Sequence, residues 1–434
     1  MSDAGPRAIL PSSSPSRPVW MVTDQLPYPP RNGITLTVAN YLEGLRRLHD
    51  VRLILLVDAA HPPAPDAMAR NEALYGPITQ VPLVREPPLL RAADELMRRG
   101  MFCHGWRPAP GSAPLTPPPG LALIASPMSA AATWRKLHRP GDGAASVSIA
   151  AVNDCTAAQY WHRGKQVFGG GPWRGLMDRG RAWNIAHIER RILIGYDHIV
   201  LQTRSDLELM RRLAGDDVAR RVTLAPNGVR AELLSVAPNR RSRHVTLVSE
   251  LSGEYGPVSR WLVGEVWPKV HQAQPDAILR VIGRGADHRL VALMNATPHV
   301  SYVPFVDDLA DVYRNTLVVV SPVFKGYGLI SKTIEGMAAG IPVVGGASAF
   351  NGVEGFVSGR DGIRCATREA TRFAEAITGL VQDAALCETI GESGRAQVRG
   401  RFAWATTIHT LETLLAARSQ AGSENPGGKH ETRH

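Results

Sequence analysis

The sequence predicts an α/β protein of two doubly wound domains, each a parallel sheet covered by helices on both faces, meeting across a cleft. Three observations predict it. Apolar runs of strand length alternate with amphipathic helical stretches from Val19 to about Thr407, the pattern of repeated βα units. The length of 434 residues exceeds what one hydrophobic core usually serves. Midway, the turn formers of Pro226-Asn227-Gly228-Val229 break the alternation, and polar, arginine-rich sequence follows up to His244. The division that follows is a tail over residues 1–17, a first domain over 18–228, a second over 229–418 and a tail over 419–434. Both tails are rich in Pro, Ser, Gly and charge and are expected to be disordered.

In the first half, an apolar run at 19–22 reads as a strand, a turn-rich loop ends near Gly33, a helical pattern covers 35–48, and a strong strand covers 51–57. Further strands are expected at 121–125, 146–152 and 198–201, and helices at 128–137, 181–194 and 206–213. The second half opens with a strand at 245–249 and a helix at 257–271, Pro257 suiting a first helical turn. Strands at 278–282 and 300–303 then alternate with helices at 287–295 and 308–313. Sheets of this kind place ligands outside the carboxyl ends of their strands, so a cleft between the halves is the expected site.

Composition narrows the function. Hydrophobic residues make up 44% and charged residues 20%, an ordinary globular balance, and no apolar run is long enough to span a bilayer. The opening MSDAGPRAILPSSSPSRP carries an acidic residue and several prolines without a continuous apolar segment, unlike a secretory signal. A cytoplasmic location is expected. Cys103, Cys155, Cys365 and Cys387 are far apart with no CxxC pair, which argues against a zinc site and a disulfide framework and for free thiols. The formal charge of +10 is spread in short arginine pairs, with no zinc-finger spacing and no aromatic-basic RNA signature. Attraction to phosphorylated ligands, or peripheral contact with an anionic membrane, fits better than nucleic-acid binding. The chain has six lysines against forty-three arginines, and Lys325 and Lys332 both fall in one short segment.

That segment, SPVFKGYGLISKTIEGMAAGIPVVGG, is the most informative of the chain. An apolar run at 317–320 leads into a loop freed of bulk by Gly326 and Gly328, Ser331 is placed to cap a helix that Gly340 stops, and Pro342 starts a second apolar run. A glycine loop feeding a helix N-terminus aims backbone N–H groups and a partial positive charge at anions, so phosphate is the natural guest. Lys332 and Glu335, three apart, share a helix face, where the lysine could meet phosphate and the carboxylate accept hydrogen bonds from sugar hydroxyls. Spacing alone equally allows an exposed ion pair beside a glycine turn.

Taken together, these stretches resemble the group 1, or family 4, glycosyltransferases, especially a bacterial subgroup of exopolysaccharide and surface-glycan assembly. The motifs are TDQLPYPPRNGITLTVANYLEGLRRLHDVRLILL near the start, LAPNGVR at 224–230, and then VWPKVHQAQPDAILRVIGRG, VSYVPFVDDLADVY, GYGLISKTIEGMAAGIPVV and RFAWATTIHTLETLL in the family's order. The resemblance implies a GT-B fold, two Rossmann-like domains with the nucleotide-sugar donor held mainly by the second and the acceptor, a glycan or lipid-linked hydroxyl, mainly by the first. It also implies retained anomeric configuration without a metal or other cofactor. Glu335 would bind the donor ribose, the loop of Lys325, Gly326, Tyr327 and Gly328 would approach the diphosphate, and Gly283 would line the donor side. Asn32 and Gly33 would line the cleft from the first domain. Many members carry a second acid eight positions before Glu335, where this chain has Tyr327, so Lys332 is the candidate for charge work on the leaving diphosphate. The arginine and lysine expected after the first strand of the second domain are replaced by SELSGEYGPVSR.

Asp154 ends an apolar run and so falls at the carboxyl edge of a first-domain strand; it is the candidate acid of the acceptor half, with a helix cap as its plainer role. Asp307 and Asp308 open a helix and read as caps before metal ligands. Gly283-Arg284-Gly285 begins a dinucleotide fingerprint whose third glycine is replaced by His288, which leaves an NAD(P)-dependent oxidoreductase as a lesser alternative. A non-catalytic sugar-nucleotide-binding subunit is the alternative from another class. Residues 85–102 read as an amphipathic helix, packed on its own domain or docked on membrane, and 167–175 as a glycine-rich acceptor-side lid or plain loop.

Overall fold

The computed structural model describes residues 17–30, 32–85, 87, 106–112, 115–118, 120–138, 145–163, 172–253 and 255–421. The two terminal tails, apart from residues 17 and 419–421, lie outside these residues, as do nearly all of 85–102 and the first part of the glycine-rich segment at 167–175.

In the first domain β1 (Pro18–Thr23), β2 (Asp50–Asp58), β3 (Ile78–Arg85), β4 (Trp106–Pro108), β5 (Ala122–Ala125), β6 (Val147–Asn153), β7 (His198–Leu201) and β8 (Val222–Leu224) form one sheet in the order β4-β3-β2-β1-β5-β6-β7-β8. Every pairing is parallel except that of β3 with β4. In the second domain β9 (His244–Val248), β10 (Ile278–Ile282), β11 (Val300–Val303), β12 (Val318–Ser321), β13 (Val343–Gly345) and β14 (Ile363–Arg364) pair in the order β11-β10-β9-β12-β13-β14, all parallel. Both orders reverse once, between β1 and β5 and between β9 and β12. Those switch points are where doubly wound sheets open a crevice at their carboxyl ends.

Helices α1 (Gly33–Leu45), α2 (Thr156–Arg163), α3 (Arg204–Ala214), α4 (Leu309–Arg314), α5 (Ser331–Ala338) and α6 (Trp404–Ala421) carry or frame the residues that matter below. The central strands β1, β5, β6, β12 and β13 are buried on both faces, which is why they read as unbroken apolar runs: Val19 and Met21 enter one core layer, Trp20 and Val22 the other. The helical run expected at 257–271 is observed as Gly256–Trp261, a π-helical turn at Leu262–Val266, and Trp267–Ala273. Pro268 lies just past that turn; lacking an N–H, it cannot continue the regular hydrogen-bond ladder.

Some elements were not expected. β3 contains Pro82, which demotes a run to edge or non-strand on local rules, yet Val57 pairs with Pro82 in register. The helix expected at 181–194 runs from Pro172 to Leu193, so residues 172–175 of the supposed lid are helical. The last helix is a correction to the domain assignment, which placed it wholly in the second domain. Ile408, Leu411, Leu414 and Leu415 of α6 enter the core of the first domain beside Val38, Leu42 and Leu45 of α1. The chain therefore crosses between domains twice, at 225–229 and near 403, and the crossings are tied together. Val229 donates to the Phe402 carbonyl (2.8 Å), Thr407 Oγ1 to the Pro226 carbonyl (2.6 Å), and Asn227 Nδ2 to Thr37 Oγ1 of α1 (2.7 Å).

Candidate active site

The second domain supplies the glycine loop and α5, at the carboxyl end of β12 beside the switch point. Ser331 is the first helical residue instead of the cap; Ile330 holds the cap position and supplies no side-chain hydrogen bond. No side chain caps the start of α5, where the Thr333 N–H bonds the Ile330 carbonyl (3.0 Å) and the positive end of the helix dipole lies. Thr333 Oγ1 turns back to Ser321 Oγ (2.8 Å) and locks the helix to β12. One turn into α5, Glu335 is buried at 6% exposure, so the exposed ion pair that spacing allowed is not what forms. Its carboxylate accepts from Lys332 Nζ at 3.0 Å to Oε1 and 2.8 Å to Oε2, and from the Tyr313 hydroxyl at 3.1 Å to Oε2. Lys332 is more open, with its side chain 37% exposed against 8% for Glu335. Lys325 lies exposed on the loop, and Tyr327 packs against the core of the first domain.

From the first domain comes Asp154. The register of β6 slips between Ala151 and Asn153, and Asn153 takes a φ of 66°, a left-handed conformation that asparagine tolerates. Such a bulge re-aims the chain at a strand end. Asp154 is left against the second domain: a methyl group on Gly328, whose φ is 68°, would collide with its carboxylate. The cap role is taken by another residue, since Glu189 accepts the N–H groups of Thr156 and Ala157 at the start of α2 (2.7 and 3.3 Å). Asp154 Oδ1 is buried without a hydrogen-bond partner among the described residues. Burial, and after it the charge of Asp206, push the Asp154 carboxyl up to about 7. Asp206, in the first turn of α3, accepts from the Gly328 N–H and from Thr203 Oγ1, and burial nevertheless raises it to about 6. Asp154, Asp206 and Gly328 therefore form one seam between the domains.

This seam has a pH signature. The Asp154 carboxyl titrates near 3.8 when unfolded and near 7 when folded, so the folded state retains the proton between those values. Its contribution to stability is greatest at the acid end of that window, declines as pH rises through it, and levels off above. Asp154→Asn, neutral throughout, is expected to lose less melting temperature than the wild type between pH 5 and pH 7.5. Parallel melting curves for the two proteins would remove Asp154 from the buried seam.

The remaining candidates divide. Asn32 caps α1, accepting from the Thr35 N–H (2.9 Å), and Gly33 is exposed at the helix start with open space where a side chain would project. Gly283 is held by packing, because a Cβ there would collide with the Ser249 carbonyl. The loop after β9 brings Glu250, bonded by Ser252 Oγ (2.9 Å), where the resemblance led to an expectation of arginine and lysine. Asp308 caps α4 through the Asp311 N–H (3.0 Å), as its position suggested. Among the described residues no group of three or more His, Cys, Asp or Glu is arranged to hold a metal ion, and no helix is long and apolar enough to cross a membrane. Cys155, Cys365 and Cys387 are free thiols. A cavity of about 190 Å3 beside the domain crossings is lined by Thr203, Thr406, Thr407 and Thr410, but all four hydroxyls already donate within the protein. Gln202 and the Arg401–Glu354 ion pair also line it.

Sequence reasoning did not single out Tyr313, Asp206, Glu189 or Asp24. Asp24, just past β1, accepts from Ser129 Oγ (2.5 Å) while its Oδ1 is buried and unpartnered among the described residues. It lies within a quoted motif and was the one with a local signal. Tyr313 reads locally as an apolar helix position, and its partner is 22 residues away.

Two doubly wound parallel-sheet domains facing each other, with a glycine loop and the Lys332–Glu335 helix at the second switch point, have the GT-B class of fold. Residues 243–383 match the family model for glycosyl transferases group 1, so the family resemblance of the motifs is borne out over that part of the second domain. The chain is 26% identical over 160 residues to glycogen synthase of Mycobacterium tuberculosis, covering 35% of this chain and 38% of the synthase. It is 30% identical over 122 residues to the capsular polysaccharide biosynthesis glycosyltransferase CapM of Staphylococcus aureus, covering 28% of this chain and 31% of CapM. The chain thus spans well under half the length of these curated relatives. Among solved structures, that of Anabaena HepE in complex with UDP superposes with a TM-score of 0.62 at 13% identity, over 93% of this chain and all of HepE. At that identity the likeness speaks for the fold alone.

Proposed function

We propose that this protein transfers a glycosyl group from a nucleotide sugar to a hydroxyl of a glycan or lipid-linked acceptor, with retention, in polysaccharide or surface-glycan assembly. One observation carries the reading. A buried glutamate and a more open lysine share the first turns of a helix without a side-chain cap, at a switch point that faces a first-domain carboxylate across Gly328. Donor ribose on Glu335 and donor diphosphate on Lys332 and the α5 N–H groups fill that arrangement, and the acceptor hydroxyl comes from the Asp154 side. As the glycosidic bond breaks, an oxocarbenium-like sugar and a more negative diphosphate form. The site's work is to stabilise that charge and orient the acceptor. The relatives whose names denote glucan or capsular polysaccharide synthesis support the choice of class. A cytoplasmic location remains part of the proposal, as does peripheral contact with an anionic membrane, the latter resting on the net charge of +10.

The test is a screen of the purified protein against UDP-, GDP-, ADP- and dTDP-sugars, following thermal stabilisation and nucleotide release. One donor class is expected to stabilise it; stabilisation by none would sink the reading. Stabilisation without turnover across acceptors would favour a non-catalytic binding subunit, a reading that the anionic Glu250 at the β9 end supports. Glu335→Gln is expected to weaken binding of the stabilising donor by roughly 1 to 3 kcal/mol, the scale of a charge-assisted hydrogen bond. Wild-type affinity by calorimetry would remove Glu335 from the donor site.

A further inference from the structure

We propose that Tyr313 is a positioning residue for donor recognition: its buried hydroxyl commits Glu335 Oε2 to the protein and leaves Oε1, shared with the exchangeable Lys332, to read the ribose. The inference rests on the assignment of Glu335 to the ribose and names what orients it.

Tyr313 lies in the last turn of α4 and is 0% exposed, in the core cluster that also holds Ile334 and Met337 of α5. A buried tyrosine hydroxyl must find an acceptor, and a backbone carbonyl usually serves. Tyr196 does this in the first domain, donating to the Ala131 carbonyl at 2.7 Å. Tyr313 instead spends its proton on the one carboxylate of the candidate donor site. Burial first, and then the charge of Glu335, hold the Tyr313 hydroxyl far above the ordinary tyrosine range, against an opposing pull from Arg230, so it stays a donor.

A carboxylate offers about four acceptor positions, two on each oxygen. Oε2 is filled by Tyr313 and Lys332, and among the described residues Oε1 holds Lys332 alone. One ribose hydroxyl can therefore join Oε1 directly, and a second can do so when Lys332 swings away. The two partners differ in the way this requires. Tyr313 is rigid, with two side-chain torsions, and enclosed; Lys332 is long and its side chain 37% exposed. Ribose binding thus frees the ammonium to move to the diphosphate as charge grows there, while Tyr313 keeps the carboxylate from turning after it.

Tyr313→Phe keeps the ring and removes the donor. The experiment is calorimetry of UDP, GDP and ADP, each with its 2′-deoxy and 3′-deoxy form, on wild type, Tyr313→Phe and Glu335→Gln. Wild type is expected to prefer the ribose form of its nucleotide by about tenfold or more, the scale of a lost hydrogen bond to a charged group. In Tyr313→Phe that preference is expected to fall to about threefold or less, with deoxy forms bound as in wild type, and Glu335→Gln should show the same loss. A packing role alone would weaken ribose and deoxy forms equally, and an unchanged preference overturns the inference while leaving the donor site in place. Failure of every nucleotide to bind wild type overturns both. Tyr313→Met, which fills the space without a donor, carries the same comparison if the phenylalanine variant does not fold.

Discussion

Lys332→Ala is expected to lower turnover on the order of 100-fold or more while changing nucleotide affinity comparatively little. In the resting site the ammonium bridges both oxygens of Glu335. If it moves to the diphosphate as charge grows there, its contribution is larger in the transition state than in the bound donor, and removal strikes rate before affinity. The ground state is buffered, because ribose hydroxyls take the acceptor positions that the lysine leaves. Lys332→Arg keeps the charge but misplaces it and should recover only part. Lys325→Ala, on the exposed loop, should do less. Steady-state kinetics with saturating acceptor decides. Near-normal turnover joined to a lower melting temperature would make Lys332 only the counter-ion that keeps a buried carboxylate tolerable.

The second large effect is expected at Gly328. Its φ of 68° costs an alanine about 1 to 2 kcal/mol. The added methyl also collides with the Asp154 carboxylate, which must turn or move away beside the contact of the Gly328 N–H with Asp206. Because the buried Asp154 has little room to turn and the clash falls between domains, relief is expected to part them while each core stays intact. Gly328→Ala should lose on the order of 100-fold in turnover, the scale of an ångström-level misplacement of reacting groups. Its melting temperature should drop by only a few degrees, roughly what 1 kcal/mol removes from a large domain, and small-angle scattering should show a larger radius of gyration. The exposed ion pair of Arg204 with Glu354, which crosses the seam, is too weak to hold it against the clash. Wild-type turnover would show that this seam is not the working closure.

Much of the architecture is legible in the chain because buried parallel strands are written as short apolar runs. The strands His198–Leu201, Ile278–Ile282 and Val300–Val303 and the helix Met128–Leu137 are found where periodicity puts them. Where local rules and tertiary context disagree, context prevails. Pro82 argues against a strand, but β3 tolerates it because its partner β4 spans only three residues. Ser331 has the chemistry of a cap and stands one position too far along the chain.

The sequence by itself determined the alternation that makes two wound sheets, the glycine loop before a helix, and the pairing of Lys332 with Glu335. Each of these depends on residues within a strand or a helical turn of one another, where backbone geometry dictates who can meet. Only the tertiary structure decided that Tyr313 completes the Glu335 carboxylate, that Asp154 and Asp206 close on Gly328, and that α6 returns to the first domain. Those contacts join separate elements, and nothing in a local period says which layer an apolar face will cover or which buried carboxylate a hydroxyl will find. Packing selects them by filling space and by leaving few buried polar groups without a partner.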